Sequence, residues 1–304
     1  RLDIFPTGWW RFFPALDSLR KYSFPAARAD LIAGISVATV AVPQAMAYAL
    51  VAGVPVEYGL YTAIVMAAIG AFFASSRQLI DGPTNAISIA VLSALATVAV
   101  HTDKVEAVIL LTLLIGCVQL AIALFRLGDL TRYISHSVIV GFTLGAAVLI
   151  ILDQTKNLIG THYDAGPHEH FITRFWGSIT AGGPVDMPTL WVGVSSIALL
   201  LLLRRAKKMV GWSKFPALLL TVILISAARW YMGAGDVAVV GTIPAKLPHF
   251  AVPVMDLQLI GDLGTSALAI ATLGLLEAIA MSKSIAARTG QRLDLNQICL
   301  SQGL

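Results

Sequence analysis

The sequence has 304 residues, 57% of them hydrophobic and 12% charged, with a formal net charge of +4. A water-soluble domain carries about a quarter charged residues to keep its surface wetted, so this composition excludes a chain that presents most of its surface to water. The two cysteines, Cys117 and Cys299, stand far apart and match neither a metal-ligand spacing nor a disulfide framework; Cys117, inside an apolar run, reads as a small packing residue.

In chain order, residues 1–30 are basic and read as a cytoplasmic N-terminal segment. They hold no apolar stretch followed by a cleavage site, so no signal peptide is read there. A start at Arg1 rather than Met points to a piece of a longer chain. A spanning helix needs about 20 mostly apolar residues. Eight stretches approach this: Leu31–Val51, Tyr58–Ala74, Thr84–Val100, Val105–Phe125, Ile134–Leu152, Pro188–Leu203, Phe215–Tyr231 and Asp262–Met281. None shows the short alternating pattern of a membrane-barrel strand. The composition and these runs give an all-α polytopic membrane protein.

Lys and Arg collect on the cytoplasmic side of membrane proteins. With the N-terminus inside, sixteen of the 21 basic residues fall inside; Lys104, Lys156, Arg174, Arg229 and Lys246 fall outside. The positive charge is therefore topological. It suits anionic lipid and not nucleic acid. The longest loops, Thr155–Met187 and Met232–Gly261, both fall outside.

Three places break the apolar pattern. In the first segment, Pro43 frees backbone carbonyls in mid-helix, and Gln44 and Tyr48 share one helix face at a spacing of four. Ahead of the third segment, polar residues from Ser75 to Gly82 give way at Pro83 to an apolar run of only 17 residues, Thr84 to Val100. Such a run extends about 25 Å, short of a hydrocarbon core of about 30 Å. A helix beginning below the membrane surface would aim the unpaired N–H groups of Asn85, Ala86 and Ile87 into the protein, and a helix N-terminus accepts anions without a basic side chain. In the eighth segment, Glu277 is an ionisable group at membrane depth and so a functional candidate by default.

Other signals carry less. Gly233 to Asp236 spells the GxGD pattern of intramembrane aspartyl proteases and Tyr163-Asp164 its partner, but both lie in polar loops. His168-Glu169-His170 lacks the further ligands of a metal site. Gly141 and Gly145 form a GxxxG pattern, read as close helix packing. No P-loop and no HExxH motif occurs. No catalytic residue, resident cofactor or metal site is assigned, and the chain is not read as an enzyme.

Three runs carry a resemblance to a known family. The first is Asp30-Leu31-Ile32-Ala33-Gly34-Ile35-Ser36-Val37-Ala38 leading to Val42-Pro43-Gln44-Ala45-Met46-Ala47-Tyr48-Ala49, then Ala52-Gly53-Val54-Pro55 and Gly59-Leu60-Tyr61. The second is Gly82-Pro83-Thr84-Asn85-Ala86-Ile87-Ser88. The third is Leu276-Glu277-Ala278-Ile279-Ala280 with Ala286-Ala287-Arg288 and Asp294-Leu295-Asn296-Gln297. In this order they resemble the sulfate permease (SulP) family of anion transporters across nearly the whole chain. Ile298-Cys299 departs from the Glu-Leu common after Asn-Gln in that family.

The resemblance implies the first repeat, and the start of the second, of a seven-plus-seven inverted-repeat transporter fold. Residues 31–126 and 262–304 would belong to a core domain and 134–231 to a gate domain, with the other segments and a STAS domain outside this chain. It further implies an anion seat bordered by Gln44 and Tyr48, with backbone donors at Thr84, Asn85 and Ala86 and the reading above adding Ile87. By the same resemblance, Glu277 matches the acidic position that serves cation coupling or charge compensation in family members. The function so implied is secondary active transport of a small anion (sulfate, bicarbonate or a dicarboxylate) by alternating access and symport with H⁺ or Na⁺. The expected setting is the inner (plasma) membrane, with lipid and a second copy of the chain as partners. A nucleobase carrier of the same architecture and an uncoupled anion exchanger or channel are the alternatives.

Overall fold

The computed structural model describes residues 15, 22–76, 78–96, 98, 103–127, 136–161, 171–211, 217–233, 237, 243, 253 and 255–304. Among these, ten helices follow in order and no strand occurs: α1 (Phe24–Ala52), α2 (Val56–Phe73), α3 (Asn85–Leu95), α4 (Lys104–Leu124), α5 (His136–Ile159), α6 (Phe171–Thr180), α7 (Met187–Val210), α8 (Ala217–Met232), α9 (Leu257–Thr289) and α10 (Leu295–Gly303). Each of the eight apolar stretches overlaps one of these helices. Among the described residues five helices, α1, α2, α4, α7 and α9, are long and apolar enough to cross a membrane, with α3 and α8 shorter apolar helices. The short amphipathic α6 and the polar α10 were not among the eight.

Local chemistry sets the ends. Ser23 caps α1 by accepting from Ala26 N, and a proline sits in its first turn, where a missing N–H costs nothing. Gly53 ends α1 at φ 75°, a left-handed conformation glycine adopts freely. Asp103, Asp256 and Asp294 cap α4, α9 and α10 through their carboxylates. Pro43 lies inside α1, which runs through it as helix. The third apolar run yields only 11 helical residues, Asn85–Leu95, fewer than its 17 apolar positions.

The chain forms two compact units. Residues 1–31, 42–144 and 244–304 make one; residues 32–41 and 145–243 make the other. In the first, α9 is the central strut. Its Leu259, Leu263, Ala267 and Ile270 pack with Ala94 of α3 and Leu110 and Leu111 of α4. Further along, Leu275, Ala278 and Ile279 pack with Ala123 of α4 and Leu295, Ile298 and Cys299 of α10. A third cluster joins Ala49 and Ala52 of α1 to Val54, Leu95 and Ala107.

In lipid, helices gain little from hiding apolar area, because the surrounding chains are equally apolar; small residues that let backbones approach do the work. Every buried residue of α1 is alanine: Ala45, Ala49 and Ala52. Opposite them Gly59 of α2 lies so close that a Cβ there would strike the Ala45 carbonyl. The large residues of α1, such as Leu31, Ile35, Val42 and Leu50, are exposed on this chain.

In the second unit, α7 packs along α8, and Gly193 of α7 sits against Leu158 of α5. Two expectations change here and in the first unit. Cys117 is exposed on α4, and it is Cys299 that is fully buried, because the polar α10 folds its apolar side onto α4 and α9. Gly141 and Gly145 have no atom within 4 Å of an added Cβ among the described residues, so no close helix packing is seen there. Tyr163-Asp164, His168-Glu169-His170 and Ala234 to Asp236 lie outside the described residues.

Candidate functional site

The α2–α3 connection carries the chain to the start of α3. Thr84 is extended there, at φ −124° and ψ 155°, as an N-cap residue must be. Its Oγ1 accepts from the Ile87 amide at 3.5 Å and donates to Glu277 Oε2 on α9 at 3.0 Å. One hydroxyl thus stands between the positive end of a helix and the one ionisable side chain of the eighth apolar segment away from its ends.

The electrostatics follow. A helix leaves its first amides without intrahelical partners and carries about half a positive charge there. The first turn of α3 has no acidic residue of its own to offset this. The carboxylate that reaches it comes from α9, through Thr84. An anion brought to Asn85 and Ala86 meets the helix end and the Glu277 charge together; a cation on Glu277 removes the repulsive part. The arrangement is suited to holding an anion and a cation as a pair.

Packing holds the two elements in register. The Ile87 side chain lies 3.7 Å from the Cβ position of Gly274, one turn ahead of Glu277 on α9. Gln119 of α4, only 4% exposed, donates from Nε2 to the Ala271 carbonyl at 3.3 Å and fixes α9 further along. Asn85 and Ser88, each 5% exposed, turn inward from α3.

The other pair named from sequence keeps to itself. Gln44 Nε2 donates to Tyr48 Oη at 2.7 Å within α1. Gln44 is exposed and Tyr48 half-buried. No hydrogen bond joins this pair to Thr84 or Glu277. All seven named residues belong to the first compact unit. Thr84 was named for its backbone; its side chain, which makes the link to α9, was missed, though Thr directly after Gly-Pro is a cap signal.

Residues 28–304 match the sulfate permease family. The chain belongs to that family. This sulfate permease family member is 34% identical over 298 residues to the chloroplastic sulfate transporter 4.1 of Arabidopsis thaliana, covering 96% of this chain and 43% of that protein. It is 31% identical over 329 residues to the sodium-independent sulfate anion transporter of Bos taurus, covering 96% of this chain and 52% of that protein. Its fold is similar to the transmembrane domain of the cyanobacterial bicarbonate transporter BicA, with a TM-score of 0.77 at 20% identity, covering 93% of this chain and 71% of that one. The chain spans about half the length of the curated relatives it matches. The architecture is the all-α inverted-repeat fold, represented here by its first repeat and the start of its second. These relatives are named as transporters, not as enzymes.

Proposed function

We propose that this sulfate permease family member forms part of a secondary active transporter of a small anion, with sulfate the first candidate and bicarbonate or a dicarboxylate the next. The observation that carries the reading is the bond from Thr84 at the start of α3 to Glu277 of α9, across 193 positions of sequence. It joins an anion-accepting helix end to an acid at membrane depth. Asn85 and Ala86 supply backbone donors to the anion; the Ile87 amide, expected from the sequence to join them, is instead taken by the Thr84 hydroxyl, and Gln44 and Tyr48 border the seat.

Glu277 is the coupling residue. An ionised carboxylate beside the seat opposes the anion, and binding H⁺ or Na⁺ lifts that opposition. Each ligand thereby raises the affinity for the other, the condition for symport. The name of the bovine relative, a sodium-independent transporter, favours H⁺. The N-terminus is assigned to the cytoplasm and the protein to the plasma membrane as a homodimer, with alternating access as the transport mode.

Uptake of radiolabelled sulfate by the full-length protein in proteoliposomes, under imposed pH or Na⁺ gradients, tests the reading. Accumulation above equilibrium driven by an inward cation gradient is the predicted result. Equilibration alone would make the protein an exchanger or leak, and competition by uracil but not bicarbonate would make it a nucleobase carrier.

A further inference from the structure

The stretch that delivers Thr84 to α9 is anchored at a second point. Asp81, three residues ahead of Thr84, is 9% exposed. A buried carboxyl group is costly unless its oxygens are satisfied. Its Oδ1 accepts from Gln302 Nε2 of α10 at 2.6 Å, its one hydrogen-bond partner among the described residues. Its Oδ2 rests on Gly70 of α2, where an added Cβ would collide with it. The carboxyl is thus held from α2 and α10 together.

Three other bonds tie the end of α2 and the upstream end of the connection to the α9–α10 turn and the first turn of α10. Gln297 Nε2 donates to the Phe73 carbonyl at 2.6 Å, Gln291 Nε2 donates to the Ser75 carbonyl at 3.0 Å, and Ser75 Oγ donates to the Asp294 carbonyl at 3.0 Å. Downstream the choices are few. Gly82 has no atom within 4 Å of an added Cβ, so packing does not hold it. Pro83 has no N–H to donate. Besides Thr84 itself, Asp81 is the side chain there that can fix where α3 begins.

We propose that Asp81 is a positioning residue for the anion seat, its carboxyl setting the start of α3 through Gln302. The inference rests on the transport reading for its kinetic consequence, but not for its structural one. It also ties the first-repeat helix that would hold the anion to α10, which follows α9 in the second repeat.

The test uses the full-length protein in proteoliposomes, with sulfate uptake and deuterium exchange of the peptide covering residues 76–90 as readouts. Gln302→Ala is expected to raise the sulfate KM about tenfold, leave kcat within about twofold, and speed exchange in that peptide. Asp81→Ala should match it, and the double variant should be no worse than the poorer single one. Asp81→Asn, whose amide oxygen can still accept from Gln302, should restore both readouts. Unchanged KM and exchange in Gln302→Ala would overturn the inference. So would an Asp81→Asn variant as impaired as Asp81→Ala, since charge and not the hydrogen bond would then matter. If Asp81→Ala does not yield folded protein, Gln302→Ala with Asp81→Asn decides alone. A wild-type protein that takes up no sulfate, bicarbonate or dicarboxylate defeats the transport reading, and the exchange comparison still decides the anchor.

Discussion

Gln44 and Thr84 each keep a polar side chain satisfied in apolar surroundings, and they do so by opposite means. Gln44 bonds Tyr48 four residues along the same helix; α1 needs no other part of the fold to make that contact. Thr84 bonds Glu277 across 193 positions, and only the packing of α3, α4 and α9 brings them together. A local pair tunes a surface. A long-range pair couples two elements, so that a change in the charge of one is felt at the other. The comparison teaches that transport chemistry should concentrate on the Thr84–Glu277 link, with the Gln44–Tyr48 pair acting as lining.

The largest effect is expected at Glu277. Glu277→Gln keeps a hydrogen-bond acceptor for Thr84 but cannot take up a proton or pair with a cation, so gradient-driven accumulation of sulfate should disappear while downhill exchange persists. Uphill, cation-driven uptake that survives the change removes the coupling role. Next comes Thr84→Val, which deletes both the cap on Ile87 and the donor to Glu277. It should weaken sulfate affinity about tenfold and cost the helix start about 1 kcal/mol, with Thr84→Ser restoring most of the affinity in the same binding assay. Gln44→Ala should raise the sulfate KM by about threefold, and Tyr48→Phe by about twofold or less. If Gln44→Ala proves more damaging than Thr84→Val, the ranking of the two pairs is reversed.

Much of the first unit could be read in the sequence because its signals are local. Spans follow from runs of apolar residues, and the Gln44–Tyr48 spacing follows from helix geometry. Glu277 announced itself by being ionisable in an apolar helix. What could not be read is what depends on partners distant in sequence. The Thr84 hydroxyl looked like one more polar atom near a proline until α9 was placed beside it. Asp81 passed for part of a wet loop, because nothing near it in sequence says that Gly70 and Gln302 enclose it. Cys117, read as a packing residue, is exposed for the same reason: an apolar neighbourhood along the chain does not tell which face of a helix meets another helix. Helix α6 escaped because ten residues are too few for a span and its amphipathic pattern is brief.

The central claim is that backbone amides at the start of α3 hold the anion. Asn85 is the first residue of that helix, and the extended Thr84 before it is compatible with a following proline. Asn85→Ala removes the side chain and keeps the amide; Asn85→Pro removes both at a position where proline is tolerated. Equilibrium binding of sulfate to the two full-length variants isolates the N–H group. The account predicts that Asn85→Pro binds about tenfold more weakly than Asn85→Ala. Equal affinities in the two folded variants would contradict it.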